Sequence, residues 1–197
     1  MVNEGGLRSR SALTIRHEPS TMSLKIGDPA PSFSLPGTDG RTHALGGLSD
    51  KPVLIVVFSC NHCPYVQAYE DRLVAIQHDY AGRGVQLIAI NSNDDGHYPE
   101  DSFEQMVARA TARGFNFLYL RDASQDVART YGATHTPQLF VFDRERTLRY
   151  TGKIDDNWQN PKAVMRQYLR DVLDALLSGR APAESQTQAI GCTIKWK

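Results

Sequence analysis

No run of apolar residues in this sequence is long enough to cross a membrane. Neither sign of charge prevails. The 22 basic and 22 acidic side chains cancel to a formal net charge of zero, so the electrostatic footprint of a nucleic-acid partner or an anionic membrane surface is missing. Cysteine is scarce. Cys60, Cys63 and Cys192 are too few, and odd in number, for the disulfide framework of a secreted domain; thiols with a chemical role in a reducing compartment fit better. The first twenty residues lack the apolar h-region of a signal peptide, because Ala12-Leu13-Thr14-Ile15 is too short. A cytoplasmic location is therefore the expectation. Internal repeats, low-complexity blocks and phosphate-binding glycine loops are absent too, and no second CxxC or HxxxH completes a zinc site.

What the chain does have is the stretch KPVLIVVFSCNHCPY, from Lys51 to Tyr65. Val53 to Val57 run without a break into Phe58, a pattern that suits a strand buried on both faces. Cys60 and Cys63 follow directly. Tyr65, Val66, Tyr69, Leu73 and Ile76 are then apolar at helical spacing. A buried strand thus delivers a CxxC pair to the start of a helix. A helix N-terminus carries about half a positive charge and unpaired N–H groups, both of which favour an anion. Cys60 is the sulfur expected to ionise there, because the thiolate is the reactive form. Asn61 is the candidate N-cap, with Pro64 in the first turn. His62, if protonated, adds a positive charge beside both sulfurs and tunes Cys60. The bland alternative is a metal-binding module using Cys60, Cys63 and His62.

The remaining chain reads as alternating strands and helices. At 197 residues it fits one domain with a sizeable core. Residues 1–23 are expected to be a disordered tail, with Met22 as an alternative start. Residues 24–179 form the domain, and 180–197 a tail docked on it. Lys25 to Leu45 suggests a hairpin turning at Asp39-Gly40. Further strands are expected at Val85–Asn91, Phe115–Leu120, Gln138–Asp143 and Thr147–Thr151, the last two as an antiparallel hairpin. Helices are expected from the CxxC pair to about Tyr80, over Glu100–Arg113, Gln125–Tyr131 and Lys162–Ser178. Ser92 to Pro99 reads as a polar loop.

Four marks carry a resemblance. They are Ile26-Gly27-Asp28-Pro29-Ala30-Pro31-Ser32-Phe33, Cys60-Asn61-His62-Cys63-Pro64, Asp126-Val127-Ala128-Arg129-Thr130-Tyr131-Gly132, and Thr136-Pro137 before a strand. Over about Lys25 to Leu177 the chain resembles the thioredoxin-fold redoxins, the group that joins AhpC/TSA peroxiredoxins with TlpA-like thiol–disulfide oxidoreductases. It looks closest to a peroxiredoxin-like subgroup with a CNHCPY box and a GC-x-IKW ending. The resemblance implies an α/β fold, thioredoxin-like, three-layered, with a central mixed sheet and an N-terminal β-hairpin. It also implies that Pro137 is cis, and that the Thr136 backbone faces the CxxC pair, free to pair with an extended segment of a partner.

Two departures qualify it. Peroxiredoxins resemble one another in a P-x-x-x-T/S-x-x-C motif, but here Val57 stands three before Cys60 and Val53 seven before, with Pro52 one further. They also carry an arginine near the position of Thr136-Pro137. Both differences argue against an efficient peroxidase. From the other side, Ser59 replaces the tryptophan that precedes CxxC in thioredoxins, and Leu54 replaces their buried acid. The Cys63 proton would then pass through His62, His135 or water.

The implied function is thiol–disulfide exchange. Cys60 attacks a protein or small-molecule disulfide, Cys63 resolves the mixed disulfide, and an external thiol reductant recycles the pair. No metal or organic cofactor is required, and neither nucleic acid nor membrane is a partner. The alternative is a peroxiredoxin-like thiol peroxidase with antioxidant activity, in which Cys60 becomes a sulfenic acid. Cys192 is either a third redox thiol or a tail anchor; Ile194 and Trp196 alternate like a docked strand, which favours the anchor. His17, His43, His78 and His97 lie in polar contexts without chemical role. Asp155-Asp156-Asn157-Trp158 is a rim near the site or, preferably, a solvated capping loop.

Overall fold

The computed structural model describes residues 23–197. The expected N-terminal tail and the alternative start at Met22 lie almost wholly outside that range. In chain order the elements open with a short antiparallel hairpin, β1 (Ser34–Pro36) and β2 (Thr42–Ala44). Next come β3 (Val53–Ser59), α1 (Pro64–Ala81), β4 (Val85–Asn91), α2 (Phe103–Ala112), β5 (Leu118–Arg121) and α3 (Asp126–Tyr131). The chain closes with β6 (His135–Thr136), β7 (Gln138–Phe142), β8 (Leu148–Gly152), α4 (Tyr168–Leu177) and β9 (Cys192–Thr193).

Five strands form the central sheet in the order β5-β4-β3-β7-β8. β3 runs parallel to β4 and antiparallel to β7, so the sheet is mixed. All seven residues of β3 are buried, as its unbroken apolar run requires. Alternation then sorts the side chains. Val53, Ile55 and Val57 pack with Tyr69, Leu73 and Ile76 of α1 and with Leu169, Val172 and Leu173 of α4. Leu54, Val56 and Phe58 face the other way, onto Ala128 and Tyr131 of α3, the hairpin and Ile194 of the tail. The sheet is thus covered on both faces, and β3 is its rigid centre. Fully burying each of its large apolar side chains contributes about 1.5–3 kcal/mol.

Two helices are shorter than expected. The stretch Lys162–Ser178 is not one helix: a 3-10 turn occupies Pro161–Ala163, and α4 begins at Tyr168. Around this break, the Met165 N–H donates to Asp156 Oδ1, and the N–H of Leu169, in the first turn of α4, donates to the Ile154 carbonyl. The preceding loop therefore takes amides a longer helix would have used, and Met165 is left 85% exposed. Similarly, the expected start at Glu100 is a 3-10 turn, Pro99–Asp101. Ser102, extended at ψ 155°, caps α2 by accepting from the Gln105 N–H.

Candidate active site

β3, β4 and β5 run in parallel and end at one edge of the sheet. Cys60 is the first residue past β3, and the polar loop past β4 folds over it. The helix does not start at Asn61. Cys63 is the N-cap of α1, with φ −70° and ψ 122°, and Pro64 is the first helical residue. The Cys63 carbonyl accepts the first helical bond, from the Gln67 N–H at 3.0 Å. Asn61 is committed elsewhere. Its backbone N–H donates to Asp101 Oδ1 at 2.5 Å and its side-chain amide to the Glu100 carbonyl at 2.7 Å. Tyr119 donates to its Oδ1 at 2.9 Å. Partners in a fixed loop outcompete the capping role.

The two buried sulfurs titrate as a pair, and the interaction between them is the leading cause of both shifts. Hydrogen bonds from Cys60 and then Cys192 pull the Cys63 pKa down to about 4, against the burial that opposes ionisation. Cys60 goes the other way. Its bond to Cys63, its burial and the nearby Asp101 carboxylate raise its pKa, and the Thr136 hydroxyl partly offsets them. Burial and the contact with Cys63 lift Cys192 to about 11. Cys63 stands at the helix start, where its thiol donates to the Thr136 carbonyl and to Cys192 Sγ.

Thr136 faces both sulfurs. Its Oγ1 is 3.3 Å from Cys60 Sγ, and its carbonyl is 3.2 Å from Cys63 Sγ. The Thr136–Pro137 peptide is cis. The Thr136 backbone, however, is not free for a partner. β6 pairs antiparallel with β9, with Thr136 opposite Cys192 and His135 opposite Thr193. The chain's own tail fills that place. It is held beyond the pair as well: Ile194 is buried, its N–H bonded to the Thr134 carbonyl, while the Lys195 N–H reaches Asn93 Oδ1 at 2.9 Å. Trp196 is exposed and stacks its ring beneath the Arg129 guanidinium, 4.6 Å away.

His62 is held by Asp101 while a ring nitrogen stays within 4.8 Å of Cys60 Sγ. Its Nδ1 lies 2.6 Å from Asp101 Oδ2, and its ring stacks on Tyr98 at 5.1 Å. Asp101 was missed by reasoning from Leu54, which looked for an acid only inside β3. The carboxylate comes instead from the loop after β4, and it is fully buried. A legible signal existed: polar residues crowded just past the carboxyl end of a buried parallel strand, where α/β sheets place their sites.

Cys60, His62 and Asp101 also hold ligand-type atoms within 4.8 Å of one another. That trio differs from the expected Cys60, Cys63 and His62 set. Asp101 has little left for a metal, because its oxygens already meet Asn61, Asn91, His62 and Asn93. His135 bonds to its neighbour Thr134. His43 and His97 pair with Asp39 and Asp94. The Asp155–Trp158 loop is not merely solvated: Asp155 is buried and accepts from Tyr69 and Arg72, and Trp158 packs on Tyr65 beside the cysteines.

A buried strand that hands two cysteines to a helix, opposite an X–Pro loop and on a sheet covered on both faces, is a thioredoxin-like fold. Residues 26–151 match the model of the AhpC/TSA family, and the chain belongs to that family. A solved structure of a hypothetical protein from Sinorhizobium meliloti 1021 is 42% identical, with a TM-score of 0.84, covering 89% of this chain and 97% of that one. The thiol-disulfide oxidoreductase ResA of Geobacillus thermodenitrificans is 27% identical over 64% of this chain and 68% of its own. A Mycobacterium tuberculosis protein assigned as a peroxiredoxin is 26% identical over 75% of this chain and 87% of its own. Among the described residues, no helix is long and apolar enough to cross a membrane.

Proposed function

We propose that this protein is a thiol–disulfide oxidoreductase whose Cys60–Cys63 pair cycles between dithiol and disulfide. The observation that carries this reading is the placing of two buried sulfurs between the end of β3 and the start of α1, both in contact with Thr136 of the cis-proline loop. Cys63 caps α1, and its interaction with Cys60 lowers one thiol pKa and raises the other, so that the pair carries one charge between them. A thiolate attacks a disulfide sulfur, and the second thiol then displaces the partner. One sulfur of the pair supplies the thiolate and the other closes the disulfide. Membership of a family whose relatives include a protein named as a thiol–disulfide oxidoreductase supports the chemistry. The substrates are protein or small-molecule disulfides, and a thiol reductant of the cytoplasm recycles the pair. The test is turnover of a disulfide-bonded protein such as insulin. Cys60→Ser and Cys63→Ser are each expected to lose turnover; a serine variant that keeps full activity contradicts the mechanism.

One observation favours a second reading, a thiol peroxidase. The hydroxyl that is missing at Val57 has a counterpart in Thr136, whose Oγ1 is 3.3 Å from Cys60 Sγ. In that reaction the Cys60 thiolate attacks a peroxide, an alcohol or water leaves, and the resulting sulfenic acid condenses with Cys63 to a disulfide and water. Stopped-flow reaction of the reduced protein with hydrogen peroxide separates the two. Consumption at the slow rate of a free thiol rules the peroxidase out.

A further inference from the structure

Of the three sulfurs, the two in the CxxC pair are shut in. Cys60 is 1% exposed and Cys63 is 0% exposed, whereas Cys192 is partly open to solvent. Cys192 is also in contact with the pair. Its Sγ lies 2.7 Å from Cys63 Sγ, although 129 positions separate the residues. That is within about 0.7 Å of an S–S bond length of about 2.05 Å. The place is built. Cys192 sits in backbone register with Thr136, and Ile194 and Lys195 pin the chain just beyond it. Gly191 fits tightly on the other side: a Cβ there would come to 2.2 Å from the Thr136 carbonyl oxygen and 3.1 Å from Pro137 N. The tail thus lies in the strand position opposite Thr136 and presents a sulfur to Cys63 from it. A plain anchor would need Ile194 but would not need a thiol facing Cys63.

We propose that Cys192 is a third redox-active thiol, which exchanges with external disulfides and relays the oxidation through a Cys63–Cys192 disulfide to the buried pair. The proposal rests on the oxidoreductase reading above and deepens it.

The steps balance. Cys192 attacks one sulfur of a partner disulfide; the other sulfur leaves as a thiol, carrying the Cys192 proton. The Cys63 thiolate then attacks Cys192 in this mixed disulfide, forming Cys63–Cys192 and expelling the partner's second sulfur as a thiolate. Finally Cys60 attacks Cys63, forming Cys60–Cys63, and its proton passes to the released Cys192. One disulfide is reduced and one dithiol is oxidised, with no further reactant.

The test uses the full chain carrying Cys60→Ser, which stops the relay before its last step. The variant is treated with glutathione disulfide, alkylated, digested without reductant and examined by mass spectrometry. The expected product is a Cys63–Cys192 linkage in most molecules. Glutathione left on either sulfur with the other one alkylated overturns the relay. A second arm follows oxidation of the pair by a disulfide-bonded protein in Cys192→Ser and Cys192→Ala chains. The rate should fall at least about tenfold, because the sulfur held in position for transfer is lost. An unchanged or faster rate in both variants makes the tail a mere plug and overturns the relay. The unmodified chain separates the two levels. If it forms Cys60–Cys63 while the Cys60→Ser chain forms no linkage, only the relay falls; if it forms no Cys60–Cys63 disulfide, the oxidoreductase reading falls with it.

Discussion

Asp101 Oδ2 stands 2.6 Å from the Nδ1 of His62. The pair fixes the loop after β4 to the CxxC segment, since the same carboxylate accepts from the Asn61 backbone. It also places a negative charge near Cys60, one of the causes that raise its pKa. The residue between the cysteines therefore answers to a carboxylate, and that carboxylate bears on the first sulfur.

Asp101→Asn removes the charge and keeps the shape. Cys60 should ionise at lower pH than in the native chain, read by ultraviolet thiolate absorbance in a Cys63→Ser, Cys192→Ser background. The amide cannot accept every bond its predecessor took, so stability should drop by about 1–3 kcal/mol, read by urea unfolding.

The Cys63 pKa is lowered from 9.0 to about 4 by Cys60 and Cys192, against its burial. A depressed folded-state pKa stabilises the fold where the thiolate exists. The contribution is complete above the unfolded pKa of about 9 and is lost as pH falls through about 4. Thiolate absorbance of the reduced native chain should therefore persist at pH 6. Cys192→Ser removes one donor and should move the midpoint upward. A first midpoint near that of free cysteine contradicts the assignment.

Gly191→Val drives a side chain into the Thr136 carbonyl, where even a Cβ would stand 2.2 Å away. The tail should lift from β6. Alkylation of Cys60 and Cys63 by iodoacetamide should accelerate at least about tenfold, since local opening sets access to buried groups. Mass spectrometry of the alkylated peptides checks it; unchanged protection would mean the tail does not cover the pair.

Phe58 is fully buried and meets Tyr131 and Phe140 edge-on, at 5.5 and 5.8 Å between centroids. Phe58→Ala should cost about 3–5 kcal/mol of stability, measured by denaturant titration, because the cavity opens beneath the sheet's central strand.

Much of this architecture was legible because it follows from local pattern. The unbroken run Val53–Phe58 has nowhere to go but a sheet centre, and α1 follows from its apolar spacing. The late hairpin turns at Arg144–Arg146 as its composition suggests, with Arg146 at φ 60°. What was not legible depends on distant partners. Asn61 has the right side chain for a cap, but Asp101, forty positions on, holds its backbone. Met165 fits a helical stripe, yet Asp156 takes its amide. Thr136 looked free because its strand partner, Cys192, lies far along the chain. The contact between Cys63 and Cys192 likewise joins residues 129 positions apart, and no spacing rule links the third sulfur to the other two.

The most direct test of the central claim is a redox titration of the unmodified chain in glutathione buffers, with free thiols alkylated and mapped at each ratio. Cys60 and Cys63 are expected to disappear together as one internal disulfide, reversibly, leaving Cys192 alone to be alkylated at the oxidising end. Thiols that stay free across the range, or that end only as separate glutathione adducts, would contradict it.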